Sequence, residues 1–102
     1  MIEIDLNKYP NQNKTTTIEG DYYSITLNTF RGYTLATIYR NEELIISGFL
    51  CLPNKNIIPY KGLTPKGNFR FDCITDDYPN YKNFGDSCIL RWYSTEELNS
   101  MK

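Results

Sequence analysis

The chain has 102 residues, enough for one domain with one hydrophobic core and too few for two. Its 40% hydrophobic content excludes extended disorder, and 11 basic against 12 acidic residues leave a net charge of -1, which excludes a bulk electrostatic draw toward nucleic acid or anionic lipid. No apolar run nears the roughly 20 residues that span a bilayer, and Met1 to Leu6 lacks the basic and apolar regions of a signal peptide, so a cytoplasmically made protein is expected.

From Met1 to Leu6, Ile2, Ile4 and Leu6 alternate with Glu3 and Asp5, the period of a strand with one buried face. Asn7 to Lys14, with Pro10 among Asn and Gln, reads as a loop, and the β-branched Thr15 to Ile18 as a short strand before the turn at Gly20-Asp21. Asp21 to Thr29 is the clearest amphipathic strand, with Tyr23, Ile25 and Leu27 in phase. Arg31-Gly32 turns the chain into a hairpin partner over Tyr33 to Tyr39, and Asn41-Glu42-Glu43 turns it again. Leu44 to Leu52 is apolar on both faces and is therefore expected at the centre of the sheet.

The stretch Gly48 to Tyr60 is a hinge between this meander and a return to the same sheet. Pro53 and Pro59 fix φ and lack an N–H, so Ile57-Ile58 between them can form only a short or edge piece. Pro53 to Lys66 is then an ordered loop of the length that often carries binding function. Asn68 to Ile74 is a strand with Phe69, Phe71 and Cys73 in phase. A second long loop, Thr75 to Gly85, leads to the last strand, Ser87 to Tyr93, with Cys88, Leu90 and Trp92 in phase. Ser94-Thr95-Glu96-Glu97 has the form of a capping box and predicts at most two helical turns. The fold class expected is all-β, a small barrel or sandwich of six or seven mostly antiparallel strands over residues 1–102, with a short C-terminal helical turn.

Little of this carries chemistry. The chain has no His, which removes Ser-His and Cys-His nucleophile pairs and imidazole ligation of a metal. Cys51, Cys73 and Cys88 are odd in number with no C-x-x-C pair, which argues against a disulfide framework or a zinc site and for small core residues. Asp76, Asp77 and Asp86 with the amides of Asn80 and Asn83 offer hard oxygen ligands, but their spacing matches no EF-hand and reads as loop chemistry. Phe69-Arg70-Phe71 and Arg91-Trp92-Tyr93 have the superficial form of a single-strand-binding sheet, although in-phase aromatics more often fill a core. Neither catalytic residues nor a cofactor site are expected.

Several short motifs stand in order along the chain: Ile2-x-Ile4-x-Leu6, Pro10-Asn11-Gln12, Ile18-x-Gly20-x-x-Tyr23-x-Ile25 and Gly48-x-Leu50. After them come Ile57-Ile58-Pro59-Tyr60, Gly67-Asn68-Phe69, Pro79-Asn80-Tyr81-Lys82-Asn83-Phe84-Gly85 and Leu90-x-Trp92-Tyr93. In this order and spacing the chain resembles the phage baseplate plug proteins of contractile tails and prophages. The resemblance implies a structural role in the virion tail, beside hub and spike proteins, and no catalysis. Ile57, Ile58, Tyr60, Tyr78, Tyr81 and Phe84, on or beside the two long loops, are the candidate interface residues, because aromatic side chains are enriched at protein contacts. Packing across the loop bases is the competing role for these residues. The alternative function is a barrel of OB or SH3-like type that binds oligonucleotide or carbohydrate.

Overall fold

The computed structural model describes residues 1–101, apart from the side chain of Lys61. Among the described residues, seven strands form two antiparallel sheets. The larger is a meander in the order β2-β3-β4-β5, from β2 (Asn11–Ile18), β3 (Asp21–Phe30), β4 (Tyr33–Arg40) and β5 (Glu43–Leu50). The smaller has the order β1-β7-β6, from β1 (Ile2–Glu3), β6 (Gly67–Cys73) and β7 (Cys88–Ser94). The sheets stay separate, so the architecture is a sandwich and not a closed barrel. The last expected residue of the domain, Lys102, lies outside the described residues.

The meander follows from its turns. Glu19 and Gly20, Arg31 and Gly32, and Asn41 and Glu42 all have positive φ, the backbone of two-residue hairpins whose twist matches that of the flanking strands. Two of the three turns contain the glycine this geometry favours. The third replaces it with local hydrogen bonds: Asn41 Oδ1 accepts from Tyr22 N at 2.8 Å, and Asn41 Nδ2 donates to Asp21 Oδ1 at 3.0 Å.

The inward face of β3 presents Tyr23, Ile25 and Leu27, and that of β4 presents Ala36 and Ile38. They pack against Phe69, Phe71, Leu90 and Trp92 of the smaller sheet, and all are buried. Tyr23 meets Phe69 edge to face, ring centroids 5.1 Å apart, which joins the two layers at the centre of the core. Thr95–Ser100 forms α1, with Ser94 as its N-cap in a capping box with Glu97, as the sequence predicts.

Four expectations are corrected. After the hinge the chain does not return to the same sheet; it crosses to the other layer, where β6 and β7 pair with each other. Leu44 to Leu52 is not a central strand, because β5 lies at the edge of the meander. Its double-sided hydrophobicity comes from a bulge: the register shifts opposite Ala36 to Tyr39, Gly48 adopts φ 64°, and consecutive Ile45 and Ile46 are both buried while Leu44 and Leu50 face out. β2 begins at Asn11, four residues before the predicted start, because its polar side chains pair along β3 without needing burial. Strand β1 is reduced to Ile2–Glu3, although Ile4 N still donates to Leu90 O at 2.9 Å.

The Pro-punctuated segment after β5 runs along the open edge of β6. Asn54 N donates to Phe71 O and Ile57 N to Phe69 O, each at 2.8 Å, so it acts as an irregular edge piece and covers a strand edge that would otherwise be bare. Two side-chain amides hold it there. Asn68 is buried; its Oδ1 accepts from Ile58 N at 3.1 Å and its Nδ2 donates to Ile58 O at 2.7 Å. Asn54 binds the backbone of Cys73 in the same two-point way, at 2.9 and 3.1 Å. Asn68→Ala leaves the buried Ile58 groups unpartnered, and the expected loss is about 2 kcal/mol, read as a lower urea midpoint with an unchanged slope.

Cys73 and Cys88 form a disulfide between directly opposed residues of β6 and β7, with Cα atoms 4.2 Å apart. The odd cysteine count points away from this bond. The alternation that turns both residues inward on adjacent antiparallel strands also makes them cross-strand neighbours. The bond closes the loop that runs from β6 to β7. For a sequence separation of 15, its reduction is expected to cost about 2–3 kcal/mol, seen as a lower melting temperature in reductant and no further effect of reductant on Cys73→Ser. An unchanged melting temperature would show that folding does not depend on the bond.

Candidate interaction surface

Cys51 is the free thiol, and burial pushes its pKa up to about 12, so it stays protonated and acts as a core residue. The densest charged cluster lies on the outer face of the smaller sheet. Arg91 Nη1 donates to Asp72 Oδ2 at 3.0 Å and Arg91 Nη2 to Glu3 Oε1 at 2.9 Å; Arg70 Nε pairs with Asp72 Oδ1 at 3.0 Å. Hydrogen bonds to Glu3 and Asp72 hold Arg91 still more firmly protonated than usual. Tyr93 donates its hydroxyl to Asp72, and its pKa is raised, first by desolvation and then by that carboxylate. The ladder pairs opposite charges with one another, although Arg70 Nε meets Asp72 as an ion pair without hydrogen-bond geometry.

Part of the acidic loop is held by contacts within the chain. Asn80 and Asn83 form a capping box around the single turn Tyr81–Asn83, Asp86 pairs with Lys8, and Asp77 N donates to Thr75 Oγ1 at 3.3 Å. Among the described residues no three His, Cys, Asp or Glu side chains are grouped so as to hold a metal ion.

The six candidate interface residues divide by burial. Ile57, Ile58 and Phe84 belong to the chain's own core, and Tyr81 packs against it half-buried. The buried three pack within the chain, where Phe84 stacks on Phe71 with centroids 5.3 Å apart. Tyr60 and Tyr78 are 53% and 43% exposed. Tyr60 leans edge-on against Phe49, and Tyr78 against Tyr33, with centroids 6.0 and 5.0 Å apart.

Phe30 and Tyr33, opposite each other at the β3–β4 turn, are exposed as well, so Tyr78 completes an aromatic cluster at that tip. The acidic loop is fastened to the same tip. Thr34 Oγ1 donates to Pro79 O at 2.9 Å and Asn80 Nδ2 to Gly32 O at 2.8 Å. Sequence reasoning did not single out Phe30 and Tyr33 as a surface. Their signal is the Arg31-Gly32 turn, which places its two flanking aromatics side by side on one face.

The meander's outer face differs in kind from the charged ladder opposite it. Thr15, Ser24, Tyr39 and Leu44 lie side by side across the four strands. The next row holds Asn13, Thr26 and Thr37, and the one beyond it Asn11, Asn28, Leu35 and Leu50. The polar members bind one another: Asn13 Nδ2 donates to Ser24 Oγ at 3.0 Å and to Thr26 Oγ1 at 2.9 Å, and Asn28 Nδ2 donates to Asn11 Oδ1 at 3.2 Å.

The chain is thus an open β-sandwich with a charged ladder on one outer face, a Thr- and Asn-rich outer face on the meander and an exposed aromatic tip. A family model described as cyanophage baseplate Pam3 plug gp18 matches residues 1–96. The chain belongs to this family of phage baseplate plugs, the one indicated by its motif order. The match runs through all seven strands, so it covers the whole sandwich and not a shared fragment. A comparison with curated proteins found no match.

Proposed function

We propose that the chain is a structural component of a contractile phage or prophage tail baseplate, seated near the hub and spike and held there by protein–protein contacts, without catalysis of its own. The observation that carries this reading is the family match over residues 1–96. The exposed aromatic tip supports it, since Tyr side chains give large contact area at low cost in conformational freedom. Tyr60 and Tyr78 serve as contact anchors, each already oriented by an aromatic neighbour within the chain. The protein is made in the host cytoplasm and resides in the virion tail.

Mass spectrometry of tails purified from a producing strain tests this. The chain is expected at a fixed ratio to the tube protein through successive gradient fractions. Recovery only in the unassembled fraction would contradict the proposal.

A further inference from the structure

We infer that the outer face of the β2–β5 sheet is the chain's principal docking surface, and that its occupant is another protein of the tail particle which presents an uncharged, hydrogen-bonding surface. The inference deepens the proposed function and rests on it. None of the three cross-strand rows on this face contains Asp, Glu, Lys or Arg, in a chain where 23% of residues are charged. A solvated protein surface ordinarily mixes charges of both signs over about a quarter to a third of its residues. The opposite layer does so, with Glu3, Arg91, Asp72 and Arg70 in one ladder.

Charge selects the occupant. The centre of the face holds no counter-ion: Glu42 stands at its margin beside Tyr22, Ser24 and Tyr39, and Arg31 lies over Phe30 at the tip, so a charged partner side chain buried against the centre would be desolvated without compensation. Thr and Asn hydroxyls and amides that already bind one another are cheaper to desolvate than free ones, and they retain lone pairs and donors for a partner. Exposed Tyr39, Leu44 and Leu50 add apolar contact toward β5, and exposed Phe30 and Tyr33 continue the face to the aromatic tip.

Size argues against self-pairing. Four strands about 4.8 Å apart, eight residues long at about 3.3 Å each, give roughly 500 Å² in plan. A stable pair buries about 800 Å² of accessible surface on each side, so this face alone lies at the small end for a self-paired dimer. The face suits one contact among several in a larger assembly.

Thr26→Lys places one charge at the centre of the face, and Thr37→Glu places the opposite charge beside it. Ile74→Lys, at a residue 83% exposed beyond the end of β6, is the control. Each variant is supplied in trans to a producing strain that lacks the native chain, and purified tails are assayed for its content, with the melting temperature of the isolated variant as a check on folding. Both face variants are expected to melt within a few degrees of the unaltered chain and to fall at least about tenfold in the particle, with Ile74→Lys retained. A folded face variant incorporated as well as the unaltered chain would overturn the inference and leave the proposed function standing. Absence of the unaltered chain from the particle would overturn both. Sedimentation of the isolated chain at tens of micromolar is expected to show a monomer; a dimer abolished by Thr26→Lys would make the occupant a second copy and overturn the inference.

Discussion

Phe69→Ala is expected to destabilise the protein by about 3–5 kcal/mol, the cost of removing a fully buried aromatic side chain and leaving a cavity. Phe69 has no exposed surface and meets Tyr23 edge to face from the opposite sheet, so the substitution empties the contact that joins the layers. Domains of this size are stable by about 5–15 kcal/mol, so the variant would lose a large fraction of its total stability. Urea denaturation followed by tryptophan fluorescence reads this directly, because Trp92 is the cross-strand partner of Phe69. A loss below about 1 kcal/mol would show that the two sheets do not share the core described.

Gly67→Ala is expected to cost about 3 kcal/mol, at the upper end of overpacking effects. A Cβ at this position would fall on the backbone oxygen of Tyr93 and on the indole ring of Trp92. The oxygen belongs to β7 main chain, which pairs with β6 along its length, so it cannot yield without moving the strand. The other glycines differ. Gly20, Gly32, Gly48 and Gly85 meet nothing within 4 Å at a built Cβ; they are held to glycine by positive φ instead. Denaturant midpoints of Gly67→Ala and Gly62→Ala form the comparison, since Gly62 has neither crowding nor positive φ and is expected to tolerate alanine. Equal stability of the two would contradict the close approach at Gly67.

Alternation over β3, β4, β6 and β7 was legible in the sequence because one face of each strand is buried, and burial leaves a period of two in the side chains. The capping box at Ser94 was legible because hydrogen-bond geometry fixes the residue types at two positions. The assignment of β5 to the edge was not, because a bulge buries consecutive Ile45 and Ile46, and a bulged edge strand reads like a central one. Nor was the start of β2, where Asn11 to Thr17 satisfy a ladder without filling a core.

Among the candidate interface residues, Tyr60 and Tyr78 were placed on exposed loop surface. Ile57, Ile58 and Phe84 were not separable from them in sequence, because an apolar residue beside a loop looks the same whether it anchors the loop inward or waits for a partner. Ile57 and Ile58 are turned inward by a segment that the amides of Asn54 and Asn68 hold against β6. These amides bind backbone atoms of residues 10 and 19 positions away, which no local pattern encodes. The uncharged outer face was likewise hidden, since it appears only when four strands are laid side by side in register.

Electron cryo-microscopy of intact tails tests the central assignment most directly. Density for a seven-stranded sandwich of this chain is expected within the baseplate, with the β2–β5 face and the Tyr60 and Tyr78 loops against neighbouring proteins. A complete baseplate reconstruction with no density for this chain would contradict the assignment.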